Sequence, residues 1–220
     1  MIKKIILSDR EEWLKHRNNY IGGSEASAIV RKNPYMSNVD LYEIKTGERK
    51  QKDISDKPYV QFGINAEPHI RELFKLSYQQ YEMHYEDNNS FLNDEYPWAA
   101  ASLDGWLTEK ETGRKGIWEG KTTEIVSSMS YEKWRGEHIP DNYYCQILHY
   151  FMVRSDCQFA HLTALLTWKC KDEEVKHEFK NINIERSEVD EDIKFLEKEE
   201  RRFWEQVQKR EAPFLKLPEI

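Results

Sequence analysis

No apolar run in this 220-residue chain approaches the roughly 20 residues needed to span a bilayer as a helix. Cysteine is scarce. Cys145, Cys157 and Cys170 are odd in number, lie 12 and 13 residues apart and form no C-x-x-C pair. Neither a disulfide framework nor a cysteine zinc site is implied, and a reducing, intracellular setting is expected. The 7 prolines and 9 glycines gather into no linker, and there is no repeat or low-complexity tract. A single domain over residues 1–220 is therefore expected, long enough to bury its own core. The opening MIKKIILSDREEW has two lysines and a short apolar patch, but acids follow at once and no small-residue cleavage site appears. No signal peptide is expected. An excess of positive charge is also missing. Lys and Arg number 33 against 40 Asp and Glu, a net charge of −7. That argues against a general nucleic-acid coat, though not against a local basic track.

Hydrophobic residues make up 39% of the chain and aromatics 13%, which fits a folded protein. A charged fraction of 33% and a mean hydropathy of −0.87 point to a heavily solvated surface. The run DREEWLKHRNNYIGGSEASAIV predicts a helix, a turn at Gly22-Gly23 and a second helix capped near Ser24. A further helix is expected from about Ala66, with Pro68 near its start, where the missing N–H costs little. AAASLDGWLTE and KGIWEGKTTE read as two strands joined by a turn at KETGRK. YYCQILHYFMV reads as a buried helix, and FAHLTALLTW and VKHEFKNINIE as strands paired across a turn at KCKDEE. The stretch SEVDEDIKFLEKEERRFWEQVQKR predicts a long amphipathic helix capped by Ser187, with Val189, Ile193, Leu196, Phe203 and Val207 inward. The order predicts an α/β fold: a central mixed β-sheet flanked by helices, with a long C-terminal helix.

Within KGIWEGKTTE, Glu119 and Lys121 project to one face of a strand, with Gly120 bare between them. The Glu-x-Lys spacing alone carries little weight, because Glu43, Glu48, Glu174 and Glu178 also stand two residues before a lysine. An exposed ion pair is the ordinary reading of such a spacing. Fifteen residues before Glu119 stands Asp104, in ASLDG. A hairpin would set Asp104 beside Glu119, although Asp-Gly is also a common turn dipeptide. Two carboxylates and the Gly120 carbonyl make an oxygen set for a divalent cation. Lys121 could then act on a water or on charge developing at phosphorus. Glycine at 120 is expected to let a phosphate approach the backbone closely. His149 is expected to pack, Tyr143 and Tyr144 to belong to the core, and Trp118, opposite Glu119, to lie against a helix.

Asp104 followed by Glu119-x-Lys121 is the D-(about 15)-E-x-K pattern of PD-(D/E)xK nucleases. With RNNYIGGSEAS, FGINAEPHIRELF, ASLDG, WEGKT and YYCQILHY in that order, the chain from about Arg17 to Met152 resembles the lambda exonuclease family, in its YqaJ-type viral recombinase branch. Leu103 departs from the proline of many members. The resemblance implies a restriction-endonuclease-like core and a Mg²⁺-dependent exonuclease, with Mn²⁺ as a substitute. Such an enzyme degrades one strand of linear double-stranded DNA from the 5′ end and leaves a 3′ single-stranded tail. It implies that Asp104, Glu119 and the Gly120 carbonyl hold metal and that Lys121 is the catalytic lysine. Glu67 would be a helix carboxylate reaching the metal, further favoured by the dipole of a first helical turn. Gln146 would orient the water or lysine, Asp94 would serve a second metal, and Arg17, Ser24 and Ser102 would hold the terminal 5′-phosphate. A homotrimeric ring, a single-strand annealing partner and a phage or prophage origin in a bacterial cytoplasm are implied as well. Two alternatives stay open. One is another endo- or exonuclease of the same superfamily, though three dispersed cysteines count against an iron–sulfur type. The other is a non-catalytic DNA-end-binding protein.

Overall fold

The alternation in KGIWEGKTTE organises the molecule: Ile117 belongs to one hydrophobic cluster and Trp118 to another, on opposite faces of the same strand. The computed structural model describes residues 1–170 and 174–216. In chain order the elements are β1 (Ile2–Ile6), α1 (Arg10–Arg17), β2 (Ile21–Gly22), α2 (Gly23–Ile29), α3 (Asn38–Lys45) and α4 (Pro58–Ser77). Then come β3 (Tyr81–His84), β4 (Asn89–Asn93), β5 (Ala99–Ala101), β6 (Gly105–Glu109) and β7 (Lys115–Glu124). α5 (Ser128–Glu132), α6 (Asp141–Val153), β8 (Phe159–Lys169) and β9 (Val175–Glu185) follow, and α7 (Asp190–Lys209) closes the series.

The strands form two sheets, ordered β1-β4-β5-β2 and β3-β6-β7-β8-β9. The five-stranded sheet is mixed: β7 pairs antiparallel with β6 and parallel with β8. The larger core joins Ile117, Leu162, Ala164 and Leu166 of this sheet to Ile147 and Phe151 of α6 and Leu196 and Phe203 of α7. On the opposite face, Ile70 and Phe74 of α4 pack on Leu107, Trp118 and Phe159. Burial of these large side chains on both faces, each about 1.5–3 kcal/mol, holds β7 between two helical layers.

Several expectations need correction. AAASLDGWLTE is two strands, not one: Ala99–Ala101 pairs in the smaller sheet and Gly105–Glu109 in the larger. The break at 102–104 is held by a side chain. Asn89 accepts from the Leu103 N–H at 2.9 Å and donates to the Leu103 carbonyl at 2.8 Å, satisfying the backbone as a strand partner would. α4 begins at Pro58, which takes the first helical turn, so Pro68 is interior and Glu67 lies mid-helix. Glu67 therefore gains nothing from the helix dipole, which acts within the first turn. Ser187 does not cap α7; it lies in a 3₁₀ turn, Arg186–Glu188, and the cap position is Val189. Of the KCKDEE turn, residues 171–173 lie outside the described residues.

Candidate active site

β6 pairs with β7 only as far as Gly105 opposite Trp118. Beyond that point β7 continues beside β8 alone, and Asp104 stands in the notch. Its Oδ2 accepts the Gly120 N–H at 3.1 Å. The N–H and C=O of a strand residue point to the same side, so the Gly120 carbonyl also faces the notch and not β8. On the next residues, Glu119 Oε1 lies 2.5 Å from Lys121 Nζ and accepts from Gln146 Nε2 of α6 at 2.7 Å. Gln146 also meets the Tyr150 hydroxyl at 2.7 Å. From α4, Glu67 pairs with Arg71, whose Nε donates to the Asp104 carbonyl at 3.1 Å. Asp104, Glu119, Lys121, Glu67 and Gln146 line one cavity of about 460 Å³.

Three acids in one cavity resist joint ionisation. Burial, and then the neighbouring Asp104, push the Glu119 carboxyl up to about 8. Burial and Asp104 likewise raise Glu67 to about 7, against the pull of Arg71. Burial raises Asp104 too, opposed by Lys121 and the Gly120 N–H. Burial would lower Lys121, but Glu119 and Asp104 more than offset it, so the ammonium is held. Glu119 Oε2 is buried with no hydrogen-bond partner. A divalent cation would satisfy that oxygen and relieve the repulsion, and carboxylate and carbonyl oxygens suit a hard ion. Asp104, Glu119 and the Gly120 carbonyl fit such an ion. Among the described residues no three His, Cys, Asp or Glu side chains are placed to hold a metal, and Glu67 is tied to Arg71.

The same cavity also carries a guanidinium and two serine hydroxyls that the carboxylates do not engage. Arg17, at the end of α1, donates to Ser24 Oγ and lies 5.3 Å over the Trp13 ring. Trp13 Nε1 donates to Ser102 Oγ at 3.0 Å. All four line the cavity that holds the carboxylates. Ser24 is not the cap of α2. That position is Gly22, whose N–H is taken by Glu25 Oε2 at 2.9 Å, which leaves the serine hydroxyl for Arg17. Glu25 is in turn held at 2.8 Å by the buried Lys45, which also reaches the Tyr20 carbonyl at 2.5 Å. At Gly23 a Cβ would come within 2.5 Å of the Tyr150 ring, so α2 reaches the site only with glycine there.

Asp94 is not brought to the site. β4 presents Asn89 and Ser90 to the cavity and carries Asp94 to its other end, about 13 Å further on at strand rise. There its carboxylate lies 3.5 Å from the N-terminus and from Lys3, more than half exposed. The bare backbone at Gly120 also has a cause other than the one expected: a Cβ there would sit 2.9 Å from the Trp118 indole, on the face away from Glu119. The glycine makes room for a tryptophan, not a phosphate. His149 does pack, between the Ala100 carbonyl at 3.1 Å and Glu200 of α7 at 2.8 Å. Burial works against its protonation, but Glu200 prevails and raises its pKa. Tyr143 and Tyr144 are only partly buried, packed at the edge of the larger core. Trp13, Arg71, Tyr150 and Lys45 went unforeseen. The i, i+4 spacing of Trp13 and Arg17, of Glu67 and Arg71, and of Gln146 and Tyr150 is a readable signal; Lys45 acts across a long sequence separation and leaves none.

A family model described as the YqaJ-like viral recombinase domain matches residues 12–158. The protein YqaJ of Bacillus subtilis (strain 168) is 30% identical over 144 residues, covering 66% of this chain. The match spans 42% of that relative, less than half its length. Among solved structures, the alkaline exonuclease LHK-Exo of Laribacter hongkongensis superposes with a TM-score of 0.63 at 15% identity, over 91% of this chain and 93% of that one. A phage related exonuclease of Haemophilus somnus 129PT gives 0.51 at 13% identity, over 87% and 96%. The fold is thus shared with both.

Proposed function

The chain belongs to the YqaJ-like viral recombinase domain family, and on that premise we propose that it is a Mg²⁺-dependent exonuclease acting on linear double-stranded DNA from the 5′ end. The observation that carries the reading is one cavity lined both by Asp104, Glu119 and Lys121 and by Arg17, Ser24 and Ser102. The solved structures of similar fold are both described as exonucleases, which agrees with it.

Asp104, Glu119 and the Gly120 carbonyl would hold the cation. When bound, it would supply Lewis-acid activation of a water and charge stabilisation at the leaving oxygen. Lys121, kept cationic by its acidic neighbours, offsets negative charge growing on the phosphoryl oxygens. Gln146 fixes the rotamer of Glu119 by donating to Oε1. The Arg17 guanidinium and the two hydroxyls would bind a terminal 5′-phosphate. That contact sets how far the chain end lies from the carboxylates. Each cut leaves a new 5′-phosphate for the same pocket. A homotrimeric ring, Mn²⁺ as a substitute ion and a single-strand annealing partner are part of the proposal on the strength of the resemblance.

The test is digestion of three substrates with Mg²⁺ or with EDTA: a 5′-phosphorylated linear duplex, its 5′-hydroxyl form and a closed circle. The expected result is Mg²⁺-dependent loss of the linear forms, the phosphorylated one faster. Cutting of the circle would replace the reading with an endonuclease. Equal rates on both ends would remove the phosphate pocket.

A further inference from the structure

α2 and α6 connect the candidate active site to a second cleft. Gly23, at the start of α2, and Gln146 and Tyr150, on α6, line the site. The segment just past the other end of α2, the start of α6 and the end of α5 with the connection after it enclose a separate cleft of about 590 Å³. Its walls include Arg31, Lys32, Lys133 and Arg135, against two carboxylates, Glu132 and Asp141. Lys32 pairs with Asp141 at 3.1 Å and Arg135 loosely with Glu132 at 3.5 Å. Cations outnumber acids here in a molecule whose net charge is −7, so this is a local reversal of the surface field.

We propose that this cleft binds the phosphate backbone of the DNA that the active site cuts, about three nucleotides from the phosphate held beside Ser24. This rests on the nuclease reading above. The seven residues of α2 set the two cavities roughly 10 Å apart at helical rise, and phosphates recur about every 3.4 Å along each strand of a duplex. A polyanion with that repeat can occupy both places at once, which a small phosphorylated ligand cannot. Lys133 and Arg135 are exposed, so they can reach a ligand without repacking the fold. Contacts of this kind give affinity and salt dependence without reading sequence.

The experiment measures duplex affinity by fluorescence anisotropy in EDTA across a salt series, for the wild type, Lys133→Ala/Arg135→Ala and Lys133→Arg. Each lost phosphate contact reduces the slope of log affinity against log salt by about 0.9, so the double variant should lose about 1.8. Its affinity should fall about tenfold or more near 0.1 M salt, while Lys133→Arg keeps the wild-type slope. A double variant with unchanged slope and affinity overturns the proposal, whatever other partner the cleft takes. A wild type that shows the expected slopes but never cleaves linear duplex overturns the nuclease reading and leaves the binding surface standing. A wild type that neither binds nor cleaves duplex overturns both.

Discussion

On one face of β7, Trp118 and Gly120 lie against α4; on the other, Glu119 and Lys121 look into a cavity. Both faces bury a titratable group. His161 of β8, level with Trp118, sits among the rings of Phe74, Tyr78 and Tyr81, at 4.8, 4.7 and 6.4 Å. Its ring nitrogens have no hydrogen-bond partner within bonding geometry. Burial lowers its pKa to about 4, with only a partial opposing pull from Asn181. Glu119 is pushed the other way, to about 8. In each case burial favours the neutral form. The difference lies in what stands next to the group. His161 has aromatic rings and a single amide, Asn181, around it and no charged neighbour, and it stays neutral. Glu119 has a second acid, an ammonium and open volume, an arrangement that a cation would complete. A shifted pKa marks burial on both faces; only the company of the group separates a packing residue from a chemical one.

That contrast can be broken by substitution. The largest effect should come from the packing face: Trp118→Ala removes a fully buried indole and should lower unfolding free energy by about 3–5 kcal/mol, read from urea denaturation. Lys121→Ala, on the other face, should cut kcat on duplex DNA about 10²–10³-fold, equivalent to about 3–4 kcal/mol. Its loss of stability should be smaller than that of Trp118→Ala. Equal destabilisation by the two would erase the distinction between the faces.

His161 supplies a pH test. Its pKa is about 6.5 when unfolded and about 4 when folded. The unfolded chain therefore takes up a proton first as pH falls. The neutral histidine's contribution is whole above pH 6.5 and is lost progressively down to pH 4, about 3 kcal/mol in all. His161→Phe should flatten the stability curve across that window. An unchanged slope would mean that His161 is protonated in the folded state. The smallest effect is Gly120→Ala, where the added Cβ meets the indole at 2.9 Å; overpacking should cost about 1–3 kcal/mol. A neutral result would return Gly120 to a role on the cavity side.

Much of this was legible in the sequence because it is local. The β6–β7 hairpin, the alternation that separates Trp118 from Glu119, and the helix that carries Gln146 all follow from short-range pattern. The rest depends on contacts between distant segments. Asn89 holds Leu103 out of the ladder from 14 residues away, and without that clamp AAASLDGWLTE reads as one strand. The clamp uses the Leu103 N–H, which a proline at this position would lack. Ser24 reads as a cap because serine usually is one; the cap position is Gly22, its N–H taken by Glu25, which Lys45 of α3 holds from outside the segment. Pro68 reads as a helix start because Val60, Phe62, Ile64 and Ala66 before it alternate with the period of a strand; the true start, Pro58, lies ten residues earlier. Asp94 had the right residue type but the wrong end of its strand, which only the pairing of β1 with β4 reveals.

The central claim is that Asp104 and Glu119 share one divalent cation. Calorimetric titration of the wild type with Mn²⁺ at pH 7, repeated in buffers of different ionisation enthalpy, tests it most directly. Saturable binding is predicted, with heats that change with the buffer because the raised carboxyl of Glu119 must give up its proton. Asp104→Asn/Glu119→Gln should abolish both the binding and the proton release. Absence of saturable binding, or an isotherm unchanged in the double variant, would contradict the claim.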